Sequence, residues 1–95
     1  MSTDDERNAA KKAQEVLRSL TLSTPRTDEI IFALGRAAGI ATEGSISLSD
    51  KTALKYVRAA TALRAVCLQL DQQRLTQQMI NRAKLAVDDW VSELQ

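Results

Sequence analysis

The chain contains no histidine and only one cysteine, Cys67. Without imidazole the commonest general base and metal ligand are missing, and a lone thiol forms neither an intramolecular disulfide nor a cysteine zinc cage. No catalytic, metal-binding or cofactor-binding residue is therefore expected. Three glycines and one proline are too few for a many-stranded sandwich or barrel, which needs turn residues every 8 to 12 positions or so. No apolar run approaches the roughly 18 residues of a membrane span, and three acids among Met1 to Arg7 are the opposite of a secretory signal. A cytoplasmic chain that stays out of the membrane is expected.

Aromatic residues make up only 3% of the chain, so its apolar mass lies in Ala, Leu, Val and Ile, which let helices approach closely. With 44% hydrophobic and 26% charged residues the composition is that of a folded globule, and 95 residues suit one domain spanning 1–95. The expected fold is all-α, a small antiparallel four-helix bundle.

Thr3-Asp4-Asp5-Glu6 is a capping box, and Ala9, Ala13, Val16, Leu17 and Leu20 continue from it along one helical face. A first helix is predicted over 3–22. Ser23-Thr24-Pro25 ends it, with Thr24 as cap and Pro25 as first residue of a second helix over 25–41. That helix buries Ile30, Ile31, Leu34, Ala37, Ala38 and Ala41, while Gly35 and Gly39 lie near Phe32 on another face. Glu43 to Ser47 reads as a loop, with Ser49 capping the next helix and Leu48 stapled onto Ala53.

Beyond Ser49 neither glycine nor proline interrupts the chain. One long helix would place the arc of Tyr56, Ala60, Leu63, Cys67 and Leu70 about 170° from that of Leu75, Met79, Ala83, Ala86, Trp90 and Leu94. Two helices, 49–70 and 72–94, are predicted, with a turn near 70–73, Asp71 as cap and Leu70 stapled onto Leu75. Fusion into one helix is the alternative. Lys55, Arg58, Arg64 and Gln69 are the few strongly polar residues between Ala53 and Leu70, so the third helix should be the most buried. Should four helices leave it uncovered, a second copy would cover it in a homodimer.

Candidate chemistry is sparse. Cys67 lies mid-helix on an apolar face and reads as core. Asp88, Asp89 and Glu93 read as a solvated acidic stripe, and Trp90 as core or subunit packing. Glu15 with Asp71 is the kind of carboxylate pair an enzyme would have to assemble across helices. Charge is more informative. The chain totals +1, yet Lys51 to Lys84 holds seven basic residues against Asp71 alone. Lys51, Lys55 and Arg58 fall at i, i+4 and i+7, a basic stripe opening the third helix, and Phe32 is a candidate anchor off the main apolar face.

Arg36-Ala37-Ala38-Gly39-Ile40, Ser45-Ile46-Ser47 and Lys51-Thr52-Ala53-Leu54 together resemble the helix-turn-helix of tetracycline-repressor-type regulators, over about a fifth of the chain. The resemblance implies a small DNA-binding regulator. Ile46 and Leu48 stand where those regulators usually carry aromatics, and a net charge of +1 gives little counterion-release drive toward nucleic acid. The first expectation is a non-enzymatic protein-binding module, an inhibitor or regulator of a larger protein in the manner of antitoxins, immunity proteins and phage regulators. Its partner would present an acidic surface to Lys51, Lys55, Arg58 and Phe32.

Overall fold

In the computed structural model, which describes residues 4–25, 27–46, 48 and 50–94, four helices are joined by short connections: α1 (Asp4–Ser19), α2 (Asp28–Ile46), α3 (Asp50–Asp71) and α4 (Gln77–Leu94). Consecutive helices pack side by side and α4 returns to α1, closing an up-down-up-down bundle of 37 × 22 × 18 Å. The all-α bundle read from periodicity is the fold observed.

The boundaries were set by hydroxyls and packing that periodicity does not see. Thr3 and Ser49, the expected caps of α1 and α3, lie outside the described residues. α1 stops at Ser19 rather than near 22, where the Ser19 hydroxyl donates to the Val16 carbonyl at 3.1 Å and Leu20 N–H folds back onto Leu17. Thr24 does not cap α2, because its Oγ1 already accepts from Thr21 N–H at 2.9 Å. The cap is Thr27, whose Oγ1 accepts from Ile30 N–H at 3.2 Å, so α2 begins at Asp28 and Pro25 stays in the turn. Thr76 plays the same part for α4, accepting from Met79 N–H at 3.3 Å.

Asp71 is thus the last residue of α3, not the cap of α4, and residues 72–76 separate the two helices. Arg74 N–H bonds to the Gln69 carbonyl at 2.7 Å and Gln73 N–H to Leu70 at 3.2 Å, the paired closure of a Schellman motif. Gln73 takes the left-handed position with φ of 58° that glycine usually fills. The break excludes the fused long helix.

The predicted loop 43–47 is instead helical as far as Ile46. Ser45 donates to the Thr42 carbonyl at 2.7 Å, and Thr42 to Ala38 at 2.9 Å, holding the hydroxyls on the helix's own backbone. Tertiary packing supplies the rest. A Cβ at Gly44 would stand 2.8 and 2.9 Å from the Tyr56 ring, so α2 and α3 meet here at a spacing only glycine allows. Gly35 and Gly39 have open space above them. Gly44→Ala should therefore lower stability by about 1–2 kcal/mol through overpacking. Gly35→Ala and Gly39→Ala should each raise it by up to about 1 kcal/mol through helix propensity. Urea unfolding of the three variants checks this, and a stabilised Gly44→Ala would contradict the contact.

The core is built on small residues. Ala10, Ala13, Ala37, Ala41, Ala59 and Ala83 are fully buried and bring the helices together around Leu17, Leu34, Leu63, Val66, Ile80, Val87 and Trp90. No charged side chain among the described residues is buried. α3 has the smallest share of exposed positions of the four helices, as expected, although Leu54, Val57 and Leu68 are about half exposed.

Near the open end of the core, Tyr56 meets Trp90 edge-to-face, with ring centroids 5.9 Å apart and planes at 63°. Burial, and then the neighbouring and hydrogen-bonded Glu6 carboxylate, push the Tyr56 phenol up to about 12. The Trp90 indole lies close enough to favour the ionised phenol slightly, yet its buried Nε1–H has no acceptor in hydrogen-bonding geometry. Because the folded state holds the phenolic proton more tightly than the unfolded chain, the benefit is complete below pH 10. It is lost as pH rises toward 12 and amounts to about 2 kcal/mol. Unfolding midpoints of the wild type should fall over that window, while those of Tyr56→Phe run flatter. Parallel curves would contradict the assignment.

Candidate functional site

Two grooves flank α3 on the outside of the bundle. The first, between α3 and α4, has a volume of about 460 Å³ and is lined by Val57, Arg58, Thr61, Ala62, Ala65, Met79, Arg82 and Ala86. Its floor is apolar because Ala62, Ala65 and Ala86 are small and only partly covered, leaving a channel between the helices instead of a packed ridge. Arg58 and Arg82 stand on opposite walls. Both are exposed, and neither meets a hydrogen-bond or ion-pair partner among the described residues. Exposed Leu54 and Leu85 extend the apolar surface on α3 and α4.

The predicted stripe leads into this groove. Lys51, Lys55 and Arg58 lie on the side of α3 turned toward α4, as the contact between Lys55 Nζ and Glu93 Oε2 at 3.0 Å shows. That ion pair separates the three residues by role: Lys51 and Arg58 are exposed and have no ion-pair partner among the described residues, whereas Lys55 ties α3 to α4. Half exposed, the pair adds little stability.

Phe32 is not brought together with the stripe. It stands 69% exposed on α2, which makes no contact with α4, so α3 lies between it and the groove. The contact between Phe32 and α3 that would bury the ring is absent. Below it, Ile31, Gly35, Ala38, Gly39, Arg64, Cys67, Leu68 and Asp71 line the second groove, between α2 and α3, where Arg64 donates to Thr42 Oγ1 at 2.8 Å. Cys67 is half-buried at this seam, not within the core, and burial pushes its thiol up, away from the reactive thiolate.

The remaining candidates diverge. Asp88 accepts from Gln14 Nε2 at 2.7 Å on the α1 side of α4, whereas Glu93 faces Lys55 on the α3 side. Glu15 is exposed on α1 and Asp71 is exposed at the end of α3, diagonal helices whose backbones do not come into contact. Among the described residues no three carboxylate or thiol groups converge as a metal would require. The stretch that resembles a helix-turn-helix carries Gly39 and Ser45 within the unbroken α2, and its helices part only between Ile46 and Asp50. No helix among the described residues is long and apolar enough to cross a membrane.

Arg82 and Met79 are groove residues that sequence reasoning left out. Arg82 was visible only as one of the seven cations, and nothing in the pattern tells which residue of α4 lies opposite Arg58. Compared with family models, curated proteins and solved structures, the chain matches none.

Proposed function

We propose that the protein is a non-enzymatic binding module of the cytoplasm, a small inhibitor or regulator that docks on the acidic surface of a larger protein. The observation that carries this reading is the pair of guanidiniums, Arg58 and Arg82, without partners among the described residues and standing on opposite walls of an apolar groove that Lys51 approaches from the start of α3. Exposed cations steer an acidic partner and set the register, while exclusion of water from the groove floor supplies affinity.

Lys51 sits in the first turn of α3, where a cation opposes the helix dipole. A charge kept at a local cost is consistent with use in binding. Catalysis has less support, because Asp88 and Glu93 are engaged with separate neighbours and Glu15 and Asp71 are exposed on diagonal helices whose backbones are not adjacent.

The test is capture from cell lysate by the wild type, by a variant carrying Lys51→Glu, Arg58→Glu and Arg82→Glu, and by Phe32→Ala. A partner retained by the wild type and by Phe32→Ala, and reduced at least tenfold by the charge reversal, is the expected result. A partner lost only with Phe32→Ala would move the contact to α2 and overturn the assignment to the groove.

A further inference from the structure

The form of the groove narrows the kind of partner, on the footing of the docking role proposed above. We infer that its occupant is a single amphipathic helix of the partner protein, with an apolar stripe on the groove floor and carboxylates on both flanks, about two turns apart.

Shape comes first. The lining runs over 57–65 of α3 and 79–86 of α4, about two turns of each helix, so the depression is a trough parallel to both axes. A third helix fills such a trough by ridge-into-groove packing, and the alanines of the floor let its backbone come close. Met79 is the one long flexible apolar side chain in the lining and adapts to whatever aliphatic residue arrives. An extended strand is a poorer occupant. Both walls are helices whose backbone groups are bonded internally along this stretch, leaving no edge for a strand to pair with.

Charge supplies the spacing. The Lys55–Glu93 ion pair fixes the antiparallel register of α3 on α4, so Arg82 lies opposite residue 66. Arg58 and Arg82 are therefore offset by about eight residues, roughly 12 Å along the trough, and stand on opposite walls. One carboxylate or one lipid headgroup would answer a single guanidinium and leave the other unmet. A helix with acids on either flank of its apolar stripe answers both. Asp89 of α4 stands one turn past Ala86, beyond the lining, and leaves the two cations as the charges of the trough itself.

A second copy fits less well. Face-to-face association would set Arg58 and Arg82 of one protomer against the same residues of the other, in a segment with seven cations and a single acid. The trough thus selects against itself and for an acidic helix.

Synthetic helical peptides of about 18 residues test the inference, long enough to hold helix when capped. The first carries a leucine stripe with two glutamates flanking it two turns apart. The second has the same composition with both glutamates moved to the opposite face, and the third has a proline at its centre. Binding is read from the Met79 ε-methyl resonance and from titration calorimetry. The first peptide should shift Met79 and bind at least tenfold more tightly than the other two. Its affinity should fall at least tenfold for Arg58→Glu and for Arg82→Glu, each shown by circular dichroism to keep its helices. Equal binding of the proline peptide would overturn the helical occupant, and equal binding of the second would overturn the flanking acids. Failure of all three peptides, with protein capture still dependent on Lys51, Arg58 and Arg82, would overturn this inference and leave the docking role standing. Capture indifferent to those charges would sink the docking role itself.

Discussion

Trp90→Ala should cost about 3–5 kcal/mol, a large share of the 5–15 kcal/mol or so that holds a domain of this kind folded. The indole is fully buried, is the largest side chain at the centre, and meets the Tyr56 ring edge-on. The core it belongs to offers little relief, for it is rich in alanines, Ala59, Ala60 and Ala83 among them, which have no side-chain length with which to collapse into a space. The aromatic contact itself adds about 0.5–1.5 kcal/mol to the loss. Trp90→Phe provides the contrast. It keeps an aromatic ring at the site and removes the indole N–H, which is buried without an acceptor and costs about 1–3 kcal/mol where it stands. Most of the lost volume is offset by that relief, so Trp90→Phe should remain within about 1.5 kcal/mol of the wild type. Urea denaturation followed by far-ultraviolet circular dichroism measures both. An alanine variant destabilised by less than about 1 kcal/mol would contradict the packing described here.

The second large effect is kinetic. Reversing Lys51, Arg58 and Arg82 to glutamate changes the charge of the exposed outer face by six units without touching a buried residue or the Lys55–Glu93 pair. Helical content should be unchanged. Stability should hold or rise slightly, because a glutamate at position 51 suits the start of α3, where a lysine opposes the dipole. Association with an acidic partner should nevertheless slow by at least tenfold at low salt, since steering by the summed field governs encounter. Lys55 is left out for a structural reason: a glutamate there would face Glu93 at ion-pair distance and confuse stability with binding.

Much of the architecture is legible in the sequence because helical periodicity reports burial directly. The 170° shift between the arcs of Tyr56 to Leu70 and of Leu75 to Leu94 marks the reversal that the structure places at 72–76. The ends of helices are less legible, since several hydroxyls compete for each cap. Thr24 and Thr27 look alike in sequence, and only the bond from Thr21 N–H to Thr24 Oγ1 decides between them. Gly44 and Ser45 carry the local signature of a loop, and the Tyr56 ring overrides it from another helix. At the candidate site, Lys51 and Arg58 were identifiable from spacing alone. Arg82 and Met79 were not, because the register between two antiparallel helices is fixed by side chains more than thirty residues apart, such as Lys55 and Glu93. Phe32 was singled out for lying off the apolar face, and it does stand exposed, though on a side of the bundle that α3 separates from the groove.

The central claim is that the groove between α3 and α4 meets an acidic partner through its exposed cations. The most direct measurement is the association rate of the captured partner with the wild type and with the Lys51→Glu, Arg58→Glu, Arg82→Glu variant across a salt series. The wild-type rate should fall steeply as ionic strength rises, and the variant should be slow and nearly insensitive to salt, the two converging at high salt. Equal rates with equal salt dependence would contradict the claim.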